Sequence, residues 1–475
     1  MVLNQRAGTM SLVDMADRTT KYETPLGKKP ADLVLSSDRK WMLIPDETAH
    51  ELLIVDWIAA GDKQAVATSS TTASEDARPQ LRVRERVAVS PYPVSVSLSR
   101  DERRCFVASL WSRRLTEIEL PTGDRPAKIV RVIDLPLAPR KLALVRDDSK
   151  LIVNDAFGGR LVVVDTASGK LDGAVREFPA HNIRGISVTP DGNTLVLAHQ
   201  MLNELAHTIR NDVHWGLLMS NDLRWLKVDK ILEGGKDLFA GGHMHPLGHA
   251  GSATADPAGV AFAPNGKVFV ALSGVGEVAI GNENDFSLNR VASGKRPVAI
   301  TVTKDSKQAL VANMFGDSVS VIDVENYEKS HEIPLGPPGE LTLVDRGELL
   351  FYDGGLSHDG WMSCHSCHTD GHTNGQMNDN FSDKSFGAPK RVLSLLGRAD
   401  TAPFAWNGSS ATLPEQIRKS LTITMQMNKE PSEKQLEALS AYVASLESPP
   451  SIDKLRGTFD EKAVERGRGL FTKEG

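Results

Sequence analysis

From the N-terminus to about residue 340, apolar and polar positions alternate with a period of two, the mark of half-buried strands. The alternation comes in one repeated phrase. A Pro or small residue leads into a strand and an Asp-containing turn. A second strand, a short loop and a third strand ending near Val-Asp follow. Pro30-Ala31-Asp32-Leu33-Val34-Leu35-Ser36-Ser37-Asp38 runs on to Leu52-Leu53-Ile54-Val55-Asp56. Pro297-Val298-Ala299-Ile300-Thr301-Val302-Thr303-Lys304-Asp305 runs on to Val319-Ser320-Val321-Ile322-Asp323. Further copies begin near Pro93, Pro139, Ile183 and Pro257. The clean intervals are about 40 to 46 residues, the period of four-stranded propeller blades. Six copies are legible. Residues 4–14 read as the closing strands of a seventh and residues 338–344 as its opening strand, so both ends together would cover the sheet edges of an open array. The expectation is an all-β seven-bladed propeller over 1–340.

Two intervals are long. Residues 61–82 are polar and low in complexity, a loop or linker by composition. Residues 199–252 carry His199, His207, His214, His243, His245 and His249, six of the 13 histidines. Within them, Gly241-Gly242-His243-Met244-His245 is a His-x-His loop able to take copper or zinc, with a polar loop as the plainer reading. His199 and His214 are placed either to face the following domain or as hydrogen-bonded structural histidines.

From about Asp345 the period of two stops, and residues 341–475 read as an all-α domain. Ser432-Glu433-Lys434-Gln435 has a capping-box pattern. Leu436, Leu439, Val443 and Leu446 form one apolar face, and Pro449-Pro450 ends the helix.

The chemistry-bearing stretch is Cys364-His365-Ser366-Cys367-His368. Two cysteines three apart with a histidine straight after the second read as a c-type haem attachment site. Each thiol adds to one porphyrin vinyl group, and the next residue sets an imidazole, His368, under the iron. A thioredoxin-like dithiol would want a βαβ setting, whereas Gly, Asp, Asn and His surround Cys364. A zinc knuckle would want a second ligand pair, and only His372 is near.

Composition narrows the picture. The chain has 475 residues, 40% hydrophobic and 24% charged, ordinary for globular protein, and length alone suggests about three domains. A net charge of −6 gives no nucleic-acid footprint. Of three cysteines, Cys105 stands alone and reads as a buried strand residue. No run is long enough to cross a membrane. Met1-Val2-Leu3-Asn4-Gln5-Arg6 is not a signal peptide, although covalent haem attachment takes place outside the cytoplasm. A periplasmic or otherwise extracytoplasmic protein is the expectation, read as a mature chain or, preferred, as a fragment that has lost its leader by truncation.

The repeated phrase resembles the YVTN-type propeller family, which speaks for fold and little for activity. The second region resembles the di-haem cytochrome c peroxidase family. The resemblance rests on Arg346-Gly347-Glu348-Leu349-Leu350-Phe351-Tyr352-Asp353, Leu356-Ser357, the haem motif, Thr369-Asp370-Gly371, Pro389-Lys390-Arg391-Val392-Leu393-Ser394-Leu395-Leu396, Pro403-Phe404-Ala405-Trp406-Asn407-Gly408 and Leu413-Pro414-Glu415-Gln416, in that order. It implies that Trp406 lies between two haems and assists electron passage, or packs on porphyrin, and that Gln416 lies near the peroxide side. Gln426 falls where the family's peroxidases carry a catalytic glutamate, and an amide is no general base. The family's distal-loop histidine has no match in Asp383-Lys384-Ser385-Phe386-Gly387-Ala388. A sixth iron ligand is left open among Met377, Met425 and Met427, with His372 poorly placed.

The lead-in to the haem motif recurs at residues 465–475, where Arg, Gly, Leu, Phe and the last Gly coincide with residues 345–355. One haem c in this chain is therefore expected, with a second beyond residue 475. Three functions follow as expectations. The first is a periplasmic haem c oxidoreductase that transfers electrons, its propeller docking a redox partner (a small cytochrome or cupredoxin) or a small-molecule substrate. The second is a peroxidase proper. The third is a propeller binding platform with a sensory or structural haem. A haem d1-type nitrite reductase resembles the chain less, since its haem c domain comes first.

Overall fold

The computed structural model describes residues 1–59, 79–123, 125–235 and 237–474. The N-terminal region is a propeller of antiparallel sheets, and a mostly helical region follows it. Four sheets have four strands in chain order. They begin at Val34–Leu35, Pro93–Leu98, Pro257–Phe262 and Pro297–Val302. First strands of neighbouring sheets touch one another, and Arg176–Val188 touches both Pro139–Val145 and Pro257–Phe262, which sets the sheets around a common axis. Alternation explains the assembly. The inner strands carry apolar side chains on both faces, and Leu43, Leu52 and Ile54 of one sheet meet Val96, Cys105 and Val107 of the next. Cys105 is fully buried in the strand Arg104–Ser109, as its apolar surroundings suggested.

The seven separate blades expected are not what forms: among the described residues five sheets carry four or more strands. Residues 2–25 make a three-stranded sheet. Between Pro139–Val145 and His243–Pro246 one sheet runs continuously through seven strands. Its middle strand, Arg176–Val188, is 13 residues long and pairs with Gly158–Asp165 at one end and Thr194–Leu202 at the other. A bulge between His181 and Gly185, with Asn182 at φ 49°, bends the strand without ending it. The opening strand expected at 338–344 is also absent. Thr342 and Asp345 form a capping box that starts the helix Leu343–Phe351 instead. The ring closes where Thr20 Oγ1 donates to Pro334 O at 2.9 Å, joining the strands Thr19–Pro25 and Glu328–Pro334.

Most of the stretch expected as a linker at 61–82 lies outside the described residues, and Gln80–Ala88 is a strand. The stretch 199–252 is more than an inserted loop, because Met219–Lys227 and His243–Pro246 are strands of the seven-stranded sheet.

In the C-terminal region Leu343–Phe351 packs on the helix Glu433–Ser445. The second helix carries the expected Ser432 capping box and buries Leu436, Leu439 and Val443. Gly347 sits at the crossing, where an added Cβ would stand 1.9 Å from the Ala438 carbonyl oxygen. Phe351, Tyr442, Leu421 and Met425 complete this core.

Candidate functional site

The short helix Cys364–Cys367 begins at Ser363, whose side chain and that of Ser366 form a reciprocal cap. Ser363 and Ser366 face the propeller. Ser363 Oγ donates to Asp256 Oδ2 at 2.5 Å and Ser366 Oγ to Asp256 Oδ1 at 2.7 Å. His181 Nε2 donates to Ser366 O at 2.9 Å. The segment after the motif is held by charge, since Arg140 and Arg184 both donate to the Asp370 carboxylate. Arg184 Nη2 also lies 3.2 Å from His365 Nε2, and Arg296 stacks on Tyr352, 3.7 Å from the ring centre.

Arg140, Asp256 and Arg296 stand in or immediately before the first strands of their sheets and Arg184 in the middle strand of the seven-stranded sheet, so one axial end of the propeller grips the motif. The electrostatics follow from burial. Asp370 is half-buried, and Arg184 and Arg140 hold its carboxyl far below the usual range against the effect of burial. His365 is kept neutral by burial first and by Arg184 second. Burial and Asp370 together push the Tyr352 phenol up to about 12. Sequence reasoning missed this grip. The only trace was an ionisable residue recurring beside the Pro or Ile that opens a repeat, as in Pro139-Arg140, Ile183-Arg184, Asp256-Pro257 and Arg296-Pro297.

On their other side the cysteines meet apolar surface. Cys364 and Cys367 are free and half-buried, in one cluster with Leu395, Leu413, Ile417, Met425 and Met427. Burial pushes both thiols up to about 12. Reactive dithiols and thiolate metal sites have lowered values instead. Burial also takes His368 down to about 4, so its ring is neutral. Its Nδ1 donates to Leu393 O at 2.8 Å, which orients the ring. Two free thiols on apolar surface beside an oriented, neutral imidazole fit a covalently attached haem with His368 as iron ligand.

The other predicted residues are dispersed. Trp406 is 54% exposed and donates from Nε1 to Arg391 O at 2.8 Å. Gln416 accepts from Ser410 Oγ at 3.0 Å and donates to Ser420 Oγ at 3.3 Å. Gln426, at φ 53°, donates from Nε2 to Thr208 O at 2.7 Å and to Ile423 O at 2.6 Å. Met425 and Met427 share the cluster of the thiols, whereas Met377 lines a cleft of about 940 Å³ between Phe157, Phe178 and Arg391. His372 turns to the propeller, bonded to Ser394 and edge-on to Trp111 and Phe157.

Of the histidine-rich stretch, His199 is buried inside the propeller against Arg224 and Phe178, not against the helical region. His214 does face that region, with Nδ1 2.6 Å from Asp359 Oδ2. His245 spends both ring nitrogens within the fold. Its Nδ1 accepts from Trp225 at 2.9 Å and its Nε2 donates to Asp285 O at 2.9 Å. His243 stacks on Trp225. The His-x-His spacing therefore serves packing.

Residues 342–460 match the family model of the di-haem cytochrome c peroxidases, so a domain of that type lies at the C-terminus and haem c is the cofactor class it implies. Over 112 residues the chain is 30% identical to the methylamine utilization protein MauG of Methylophilus methylotrophus. That stretch is 22% of this chain and 32% of MauG, so the chain spans about a third of this relative's length. In fold, the hydrazine synthase of Kuenenia stuttgartiensis is similar over 67% of this chain and 90% of that one, with a TM-score of 0.52 and 18% identity. A functionally unknown protein from Desulfotomaculum acetoxidans covers 70% of this chain and 94% of its own at a TM-score of 0.49 and 12% identity. Among the described residues no helix is long and apolar enough to cross a membrane.

Proposed function

We propose that the chain is a periplasmic electron-transfer protein carrying one haem c. Cys364 and Cys367 would tether the porphyrin and His368 would ligate the iron. Haem c, once attached, supplies a one-electron iron couple whose potential its axial ligands and burial set. The chain's own residues orient and shield it. Leu393 O fixes the His368 ring. The axial grip of Asp256, Arg140 and Arg184 holds the attachment segment from behind. The apolar cluster around Met425 and Met427 excludes water from the thiol side. The observation that carries the reading is the neutral, oriented His368 between free thiols and apolar surface.

Electron relay is preferred to peroxide reduction because of Gln426. Its amide donates to two backbone carbonyls and has no proton-accepting group to offer a peroxide. The propeller has its axial end engaged with its own haem segment, which leaves the exposed Trp406 side for a small cytochrome, a cupredoxin or a small-molecule substrate. The test is stopped-flow mixing of the haem-matured, reduced chain with hydrogen peroxide and, separately, with an oxidised cupredoxin. Relay predicts rapid oxidation by the cupredoxin and slow oxidation by peroxide. The opposite order makes the chain a peroxidase.

A further inference from the structure

His214, His358 and Asp359 converge from two parts of the chain that the haem reading leaves unused. His214 ends the short helix Arg210–His214 in the stretch 199–252, and the other two stand just ahead of the haem motif. Their potential ligand atoms all lie within 4.8 Å of one another. His214 Nδ1 is 2.6 Å from Asp359 Oδ2, and His358 Nδ1 is 3.5 Å from Asp359 Oδ1. The two imidazoles lie nearly parallel, with centres 5.5 Å apart. A fourth potential ligand, Asn428 Oδ1, stands 3.0 Å from His358 Nδ1, although Arg210 also donates to it at 2.8 Å.

A proton shared by one imidazole and one carboxylate would explain His214 and Asp359. It does not involve the second, buried imidazole, whose Nδ1 lies 3.0 Å from Asn428 Oδ1 and 3.5 Å from the same carboxylate. A tetrahedral ion with bonds of about 2.0–2.1 Å sets its ligand atoms about 3.3 Å apart. The separations of 2.6 and 3.5 Å, one to each oxygen of the same carboxylate, lie on either side of that value, and the three ligand atoms stay within 4.8 Å, so a small side-chain adjustment closes the set around an ion. The backbone is shaped to bring the carboxylate there. Asp359 takes φ 58°, a left-handed conformation that disfavours most L-residues. Gly251 N–H donates to its Oδ2 at 3.2 Å, and Trp361 Nε1 anchors the other side by donating to His214 O at 3.1 Å. His214 and Asp359 are half-buried, so an ion has a way in. A cleft of about 510 Å³ lined by Trp215, Gly216, His249 and Trp361 adjoins them.

We propose that His214, His358 and Asp359 bind one divalent transition-metal ion of zinc type, which staples the stretch 199–252 of the propeller to the segment leading into the haem motif. Two imidazoles and one carboxylate suit zinc, with a fourth position open to water or Asn428. The role is structural, and binding to the folded chain alone makes it stabilising.

The experiment uses the untagged, haem-matured full chain, incubated with Zn2+ and exchanged into metal-free buffer. Zinc is counted against haem iron by inductively coupled plasma mass spectrometry, and melting is followed with and without zinc. Two variants accompany the wild type. Asp359→Asn keeps a side chain that tolerates the left-handed conformation, and His214→Asn keeps a donor near the Nδ1 position. The wild type is expected to retain close to one zinc per haem iron and to melt higher with zinc. Both variants are expected to lose the zinc and the shift while attaching haem normally. Equal zinc in the wild type and His214→Asn would overturn the proposal. So would no retained zinc in the wild type.

Discussion

Asp370→Asn tests the grip between the propeller and the haem segment. The wild-type carboxylate accepts from Arg140 and Arg184, and its side chain is only 26% exposed, with Arg140 at 14% and Arg184 at 19%. Breaking such a buried pair from one side leaves uncompensated charge and costs about 3–5 kcal/mol. Here the amide oxygen keeps one acceptor, so the lower figure applies. Because the loss is local, it is read best as opening of the segment. About 3 kcal/mol corresponds to roughly a hundredfold faster exchange of protected amides. The reporters are the amides of His368, Asp370 and Gly371, bonded to Cys364 O, His365 Nδ1 and His368 O. The assay is native-state hydrogen exchange with mass spectrometry on the haem-matured protein, using amides of the strand Arg104–Ser109 as an internal reference. Faster exchange confined to the haem segment is expected. Unchanged rates there would refute the idea that the axial charges hold the motif.

Further outcomes follow from single residues. Gly347→Ala drives a methyl group into the Ala438 carbonyl, so the two core helices must separate; a loss of about 2 kcal/mol or more is expected in thermal or denaturant melts. His181 and His199 are held by burial at about 4 and about 3, below the unfolded value of about 6.5. As pH falls the unfolded chain therefore takes up protons first, so stability is full above about 6.5 and falls through the folded values; denaturant midpoints between pH 7 and 4 would check it. Gln426→Glu replaces the amide donor to Thr208 O and Ile423 O with a carboxylate that repels both, destabilising by about 1–3 kcal/mol and giving no gain in peroxide turnover in a steady-state assay.

Local patterns carried the elements far enough to place the haem segment. Alternation marks the half-buried strands and continuous apolar runs such as Leu52-Leu53-Ile54-Val55 mark those buried on both faces, while the apolar face at Leu436, Leu439 and Val443 marks a helix because it has one face to bury. Sheet boundaries were less legible. Arg176–Val188 contains Pro179 and Gly185, residues that usually punctuate, and yet it continues through a bulge. At 338–344 the alternation suggested a strand, while Thr342 and Asp345 already carried a helix start. The motif itself was plain because its chemistry is sequential. Its setting was not, since Asp256, Arg140 and Arg184 meet Ser363, Ser366 and Asp370 only through the ring. Histidine spacing misled at His243 and His245, whose environment is set by Trp225 and the carbonyls of Glu283 and Asp285.

The most direct measurement is an optical spectrum of the haem-matured chain, oxidised and reduced, before and after adding hydrogen peroxide. A covalently bound, low-spin haem c whose ferric spectrum peroxide leaves unchanged is the result expected for an electron relay with a closed iron. A high-spin ferric haem that changes on peroxide addition, or a chain that attaches no haem through Cys364 and Cys367, would contradict it.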